Sequence, residues 1–352
     1  MMHEPIELIR EEETAILVEY MLTPDLFEAY GLKVIDIVPK RGIYRIETDQ
    51  GFKCLKKMKS GRKDIYFTHE AIEHLSQNGF NKVSRIRRTL DGDLFLTYGD
   101  DTYFMMDWID GRECDYENPI ELDIAVKTLT ELHNASKGFT SKHGDEDRNQ
   151  LGKWPELFKR RCDELIIMKE MAEKKQKKIQ FDEIFLKHAD YYYEDALAAC
   201  EELKGLDYEG LVKKAKDEKG FCHNDYAYHN ILISYDHQNV AVLDFEYCIF
   251  DLRINDIASL VHRNLKKCFW DIDRAEYILN RYHQWSNLSD DELKGIYVYL
   301  KFPMDFWRIA SQFYLENKRW RDETYIGKII DKSEWRDLRE DFLQDFKEMT
   351  GM

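Results

Sequence analysis

The chain has 352 residues, 43% hydrophobic and 13% aromatic, with few prolines and glycines, enough apolar material for two cores and too little Pro and Gly for a disordered scaffold. A formal net charge of −16 excludes a generally basic nucleic-acid-binding surface, leaves the short basic runs at 174–178 and 85–88 as solvated faces, and would suit a cationic acceptor wherever the acid gathers. No run of 18 apolar residues offers a membrane span, and the stretch MMHEPIELIREEE lacks a leader's basic and then apolar form. The seven cysteines include no CxxC pair, which indicates reduced thiols rather than a disulfide framework, the odd count leaving one for intermolecular crosslinking.

Three β-like segments come first, Val34 to Val38, Ile43 to Thr48 and Phe52 to Met58, the last two joined by the turn Asp49-Gln50-Gly51. Cys54 and Lys56 share one face of the third. The stretch FTHEAIEHLSQNGF reads as a helix with an apolar stripe through Phe67, Ala71, Ile72 and Leu75, ended by Gly79. After turns at Asp91-Gly92 and Gly99-Asp100, the apolar strand Tyr103-Phe104-Met105-Met106 leads into Asp107, Trp108, Ile109, Asp110 and Gly111. A helix from Ala125 to Lys137 follows, with Val126, Leu129 and Leu132 at helical spacing. Residues 154–205 then carry two long, charged, aromatic-rich helical patterns, suited to lobe packing or to a lid, dimer or assembly surface.

The chemistry concentrates in FCHNDYAYHNILISYDHQNVAVLDFE. Ile231 to Ile233 and Val240 to Leu243 read as two short strands around the polar turn at Asp236, His237, Gln238 and Asn239. Asn230 precedes the first strand and Asp244 ends the second, so antiparallel pairing brings both to the same end of the ribbon. Five residues before Asn230 stands Asp225. Phosphoryl transfer asks for these residue types: hard oxygen ligands for Mg²⁺, met by Asn230 and Asp244, and a carboxylate to take the acceptor's proton, met by Asp225. Glu246 is a further candidate, for a second metal or for orienting the first. A competing reading makes His223, Asp225, His229 and Asp244 ligands of zinc or a dinuclear metal. The strand-hairpin-strand context and the absence of another His cluster favour the phosphoryl-transfer reading, with His223 structural.

The pattern H-N-D-x-x-x-x-N followed by D-F-E resembles the catalytic loop and metal-binding segment of the aminoglycoside phosphotransferase and choline kinase-like superfamily, relatives of the protein kinases. The resemblance implies an α+β, two-lobed, protein kinase-like fold: a small β-rich N-terminal lobe with one main helix over 1–106, a hinge at 107–112, and a large, mainly helical lobe over 113–352 with the catalytic hairpin at 223–246 and a helical insertion at 154–205. It implies Asp225 as the base, Asn230 and Asp244 as metal ligands, and Asp256, in NDIASL, as a structural aspartate. It further implies Lys56 as the lysine holding ATP phosphates, with Lys53 and Lys57 as runners-up, and backbone groups of Asp107 and Trp108 as adenine contacts. Glu70 is placed to partner Lys56, with Glu73 as the alternative. The superfamily usually has Gly where Asn224 stands, and Asn tolerates left-handed backbone better than most residues. The loop PKRGIYR offers only Gly42 for close phosphate approach, with Lys40 or Arg41 as candidate helpers.

Over nearly the whole chain, LGKW, FKRRC, FLKHADYYYEDA and FPMDFWRIASQFYLENKRW look like the CotS family of spore coat proteins. That resemblance implies deposition in the spore coat after synthesis in the mother cell, with other coat proteins as partners. Two functions follow from it: an ATP- and Mg²⁺-dependent phosphotransferase acting on a hydroxyl-bearing small molecule or coat component, or a catalytically inactive structural part of the coat. The aromatic residues Phe306, Trp307, Phe313, Tyr314 and Trp320 suit either core packing or a coat contact.

Overall fold

The computed structural model describes residues 22–40, 42–58, 61–143, 145–316 and 321–352. The N-terminal stretch, Arg41 and Trp320 lie outside the described residues. Contacts divide the chain into two units, each assembled from separate stretches. The first comprises Met1–Cys114, Phe139–Asp147 and Tyr228–Cys248, and the second Asp115–Gly138, Arg148–Ala227 and Ile249–Met352.

The first unit opens with a short helix α1 (Pro24–Glu28) and a meander of β1 (Val34–Lys40), β2 (Ile43–Thr48) and β3 (Gly51–Lys57). The β2–β3 turn closes where expected. Gly51 takes φ +82°, which costs glycine little, and the Thr48 hydroxyl donates to the Gly51 carbonyl at 2.7 Å. Helix α2 (Arg62–Gln77) follows, then β4 (Ile86–Arg87), β5 (Leu96–Tyr98), β6 (Asp101–Asp107) and β7 (Arg112–Glu113). In the resulting antiparallel sheet the order is β1-β2-β3-β6-β4, with β5 on β6. Phe27, Ile46, Leu55 and Met105 are fully buried in a cluster beneath it. Alternation decides this, since Lys53 and Leu55 point to one face of β3 while Cys54 and Lys56 point to the other.

Helix α2 ends as its glycine implies. Gly79 has φ +85°, Phe80 N–H donates to Leu75 O at 2.9 Å and Gly79 N–H to Ser76 O at 3.2 Å, the paired bonds of a Schellman cap. A second, three-stranded sheet joins β7 to β8 (Ile231–Ile233) and β9 (Val240–Val242).

The second unit is helical among its described residues. Asn118 caps α3 (Pro119–Ser136), its side chain accepting from Ile120 N–H. The two long patterns form α4 (Trp154–Lys174) and α5 (Gln180–Lys204), followed by α6 (Tyr208–Glu218), α7 (Ile254–Leu265), α8 (Ile272–Trp285), α9 (Asp290–Lys301), α10 (Met304–Tyr314), α11 (Asp322–Glu334) and α12 (Arg336–Thr350). Aromatic rings lock α5 to α10: Phe181 stacks on Phe313 at 4.1 Å, and Phe306 on Tyr192 at 4.1 Å and on Phe185 at 5.4 Å. Phe306 and Tyr314 are buried. Of the two readings of the C-terminal aromatics, core packing holds for these residues. No described helix is long and apolar enough to cross a membrane, and all seven cysteines are free thiols.

Candidate active site

In the first unit the β8–β9 ribbon brings the ends of its strands together. Ile231 pairs with Val242, and Leu243 N–H donates to the Asn230 carbonyl at 2.8 Å. Asn230 is buried. Asp244 follows with φ +60°, a left-handed turn into the short 3₁₀ segment Phe245–Tyr247. That turn swings two carboxylates onto one lysine: Lys56 Nζ lies 2.5 Å from Asp244 Oδ1 and 2.9 Å from Glu246 Oε1. Burial alone would lower the Lys56 pKa, but Asp244 and Glu246 outweigh it and hold the ammonium above the ordinary lysine value. Its strand-face neighbour Cys54 is pushed up to about 11, chiefly by burial and against the pull of Lys56, so its thiol is unreactive at neutral pH.

The expected partnership of Lys56 with Glu70 is not what forms. Glu70 accepts from Ser141 Oγ at 2.6 Å and from Lys142 N–H at 3.0 Å, and lies 3.0 Å from His143 Nδ1. Glu73, the alternative, binds Arg85 in a two-pronged ion pair. The turn at 141–143 offers Glu70 several donors at once, whereas the segment after Asp244 delivers Glu246 to Lys56. The runners-up are engaged elsewhere, Lys53 with Asp107 at 2.9 Å and Lys57 with Asp101 at 2.6 Å.

The end of β6 also departs from expectation. Trp108 N–H donates to Phe52 O at 3.1 Å, which extends the β3–β6 ladder by one residue, and the Asp107 carbonyl accepts the Ser84 hydroxyl at 2.6 Å. The Trp108 amide is therefore taken, and an adenine edge would have to be met by other groups of this segment. Lys40 lies over the Trp108 ring at 5.3 Å, a cation–π contact.

In the second unit, Asp256 organises the turn that carries Asp225. Asp256 is fully buried and accepts His223 N–H at 2.6 Å and Asn224 N–H at 2.7 Å. His133 Nε2 lies 3.1 Å away and its Nδ1 2.8 Å from the Tyr282 hydroxyl; a carboxylate only accepts, so Nε2 is the donor. Asn224 takes φ +64°, the left-handed backbone for which Asn substitutes for Gly. Tyr226, fully buried, ties the turn to α3 by donating to Ala125 O at 2.8 Å. Asp225 itself is gripped by Arg263, Nη2 to Oδ1 at 2.8 Å. Arg263 was not among the residues singled out from the sequence. Its only signal there is its place seven residues after Asp256 on α7, which puts both on one helix face.

Among the described residues, the one cluster with the make-up of a metal site is His133, Cys222 and Asp256. It is buried and cross-linked by the hydrogen bonds above, while the Cys222 thiol faces the carbonyls of Asp251 and Leu252. The zinc-type grouping of His223, Asp225, His229 and Asp244 is not among such clusters.

A cavity of about 470 Å³ opens beside Asp225, walled by α4, α7 and α10, within the span usual for small-molecule sites, about 300–1,000 Å³. Its charged lining is mostly cationic: Lys153, Arg161, Arg263, Lys266 and Arg308 against Asp225, Asp251 and Asp305. An acidic cleft, as the net charge would have suited, is therefore not what lies beside Asp225.

A family model described as "Spore coat putative kinase YutH" matches residues 23–346. Spore coat protein S of Bacillus subtilis (strain 168) is 25% identical over 311 residues, 88% of each chain. Among solved structures, an aminoglycoside phosphotransferase from Alicyclobacillus acidocaldarius subsp. acidocaldarius DSM 446 is similar with a TM-score of 0.81 at 22% identity, covering 94% of this chain and 97% of that one. Spectinomycin phosphotransferase, solved with ADP and spectinomycin, is similar with a TM-score of 0.63 at 14% identity, covering 92% and 96%. At these identities the structural likeness establishes the α+β, kinase-like fold. Matched from 23 to 346, the chain belongs to this YutH/CotS family of kinase-like spore coat proteins, and the spore coat is its location.

Proposed function

We propose that the protein is an ATP- and Mg²⁺-dependent phosphotransferase that acts on a hydroxyl of a small molecule or coat component. The observation that carries this reading is the junction of Lys56 with Asp244 and Glu246, since a partly buried ammonium held by two carboxylates is poised for an exchange of partners with phosphate. The donor set fits the cofactors. Asp244 and Asn230 supply hard oxygens of the kind Mg²⁺ prefers, and the Asp244 side chain is 42% exposed and engaged by Lys56 through Oδ1. Bound MgATP would supply the phosphoryl group and neutralise its charge.

The residues divide the remaining work. Lys56 would hold the nucleotide phosphates, with Glu246 keeping its ammonium in place. Asp225, oriented by Arg263, would take the acceptor's hydroxyl proton as that oxygen bonds to the γ-phosphorus and the bridging P–O bond breaks, its electron pair leaving with ADP. Asp256 positions the turn through the amides of His223 and Asn224.

A second reading, a catalytically inactive structural component of the coat, is favoured by two observations: the single Gly42 in the loop between β1 and β2 and the engagement of the Trp108 amide within the sheet. Calorimetric titration of ATP with and without Mg²⁺ into the wild type and Asp244→Ala separates the two. Metal-dependent binding that is lost in the variant supports the phosphotransferase; no binding to the folded wild type supports the structural role. Once an acceptor is in hand, Asp225→Asn should lower turnover by about two to four orders of magnitude with folding intact.

A further inference from the structure

The cavity beside Asp225 carries a charge arrangement that phosphoryl transfer alone does not demand. Two of its five cations are already matched: Arg263 with Asp225 at 2.8 Å, and Lys266 with Asp305. Lys153, Arg161 and Arg308 are not. Neither arginine makes an ion pair among the described residues, although both line the same cavity. Arg161 lies on α4 with its guanidinium over the Trp307 ring at 4.3 Å, and its Nε is buried without a hydrogen-bond partner. A buried donor left unpaired is costly, and two like charges facing one space add to the cost. Burial first, and then the neighbouring Arg308, lower the Arg161 pKa to about 10, which leaves it charged at neutral pH. Uncompensated cations at the wall of a small-molecule cavity in a protein of net charge −16 are a local reversal of the chain's overall sign, and the group that relieves them is an anion.

We propose that Arg161 and Arg308 form an anion subsite that selects a small acceptor carrying both a hydroxyl and an oxyanion, a carboxylate or a phosphate, and presents the hydroxyl to Asp225. Planar guanidinium forks match either oxyanion with paired hydrogen bonds. The acceptor class is thus a hydroxylated carboxylate or phosphate ester, of which an acidic sugar and a sugar phosphate are examples, rather than a cationic amine, and this rests on the phosphotransferase reading above. Arg161 and Arg308 act by positioning, and Asp225 remains the group that meets the reacting oxygen.

The test is calorimetric titration of the full chain with glucose 6-phosphate, glucuronate, glucose and choline, alongside a separate titration with MgATP. At least one anion should bind and glucose and choline should not, the two anions deciding between phosphate and carboxylate. Arg161→Gln and Arg308→Gln should each weaken the anion by about ten- to a hundredfold and leave MgATP binding unchanged. Arg308 is exposed, so its variant keeps the fold even if the Arg161 variant does not, as thermal melts will show. The proposal is overturned if no anion binds, if choline or glucose binds as tightly as either anion, or if a folded variant binds the anion like the wild type. The two readings fail separately: MgATP binding without anion binding defeats the acceptor class alone, and anion binding without MgATP binding leaves the subsite standing and defeats the phosphotransferase.

Discussion

Replacing Asp256 by alanine would remove the acceptor from three donors at once, the amides of His223 and Asn224 and Nε2 of His133, at 2.6, 2.7 and 3.1 Å. The residue is 0% exposed, so bulk water cannot take over. A buried donor left unpaired costs about 1–3 kcal/mol, which gives roughly 2–6 kcal/mol for the two amides; breaking a buried charged contact typically costs about 3–5 kcal/mol. A loss of about 3–5 kcal/mol is therefore expected, read from urea unfolding at neutral pH. A loss below about 1 kcal/mol, near what a surface substitution costs, would refute the view that Asp256 holds this turn. Acid unfolding provides an independent arm. Burial raises the Asp256 pKa, but the hydrogen bond and charge of His133, the charge of His223 and the Asn224 amide outweigh it and hold the folded value below the ordinary carboxylate. Its contribution is thus present above the unfolded pKa and lost as pH falls through the folded one. Asp256→Asn should flatten that acid limb.

Lys56→Met should lower turnover by about two orders of magnitude and weaken nucleotide binding measured by calorimetry, with the remaining binding still dependent on Mg²⁺ and on Asp244. Phe306→Ala removes a ring stacked between Phe185 and Tyr192 and should cost about 3–5 kcal/mol in urea unfolding; truncation before Phe302 should yield no cooperative transition, because α10 is core rather than a detachable docking tail. Asp251 is pushed up to about 7, chiefly by burial and against the Leu252 amide and the Trp154 indole N–H. With the folded pKa raised, its stabilisation is full below the unfolded value of about 3.9 and is lost as pH rises toward 7. The unfolding free energy of the wild type relative to Asp251→Asn should therefore decline as pH rises across that range.

Local pattern determined much of this protein by itself. Strand alternation placed Cys54 and Lys56 on one face of β3, Gly79 ended α2, Asn224 accepted positive φ, and the spacing from Asn230 to Asp244 set a hairpin whose ends meet. Each is a short-range consequence of dihedral preference and side-chain period. Only tertiary structure decided which charges meet. Glu70 sits in the expected helix but is claimed by the turn at 141–143, while Glu246 reaches Lys56 because the left-handed Asp244 redirects the chain. The net charge of −16 could not show that Arg161 and Arg308 line one cavity, since they lie on α4 and α10, which meet only in the folded chain, where Trp307 of α10 sits under Arg161 and donates to Glu164 of α4. Pairing of ionic groups depends on distances in space, which sequence spacing fixes within a helix or hairpin and leaves open between elements.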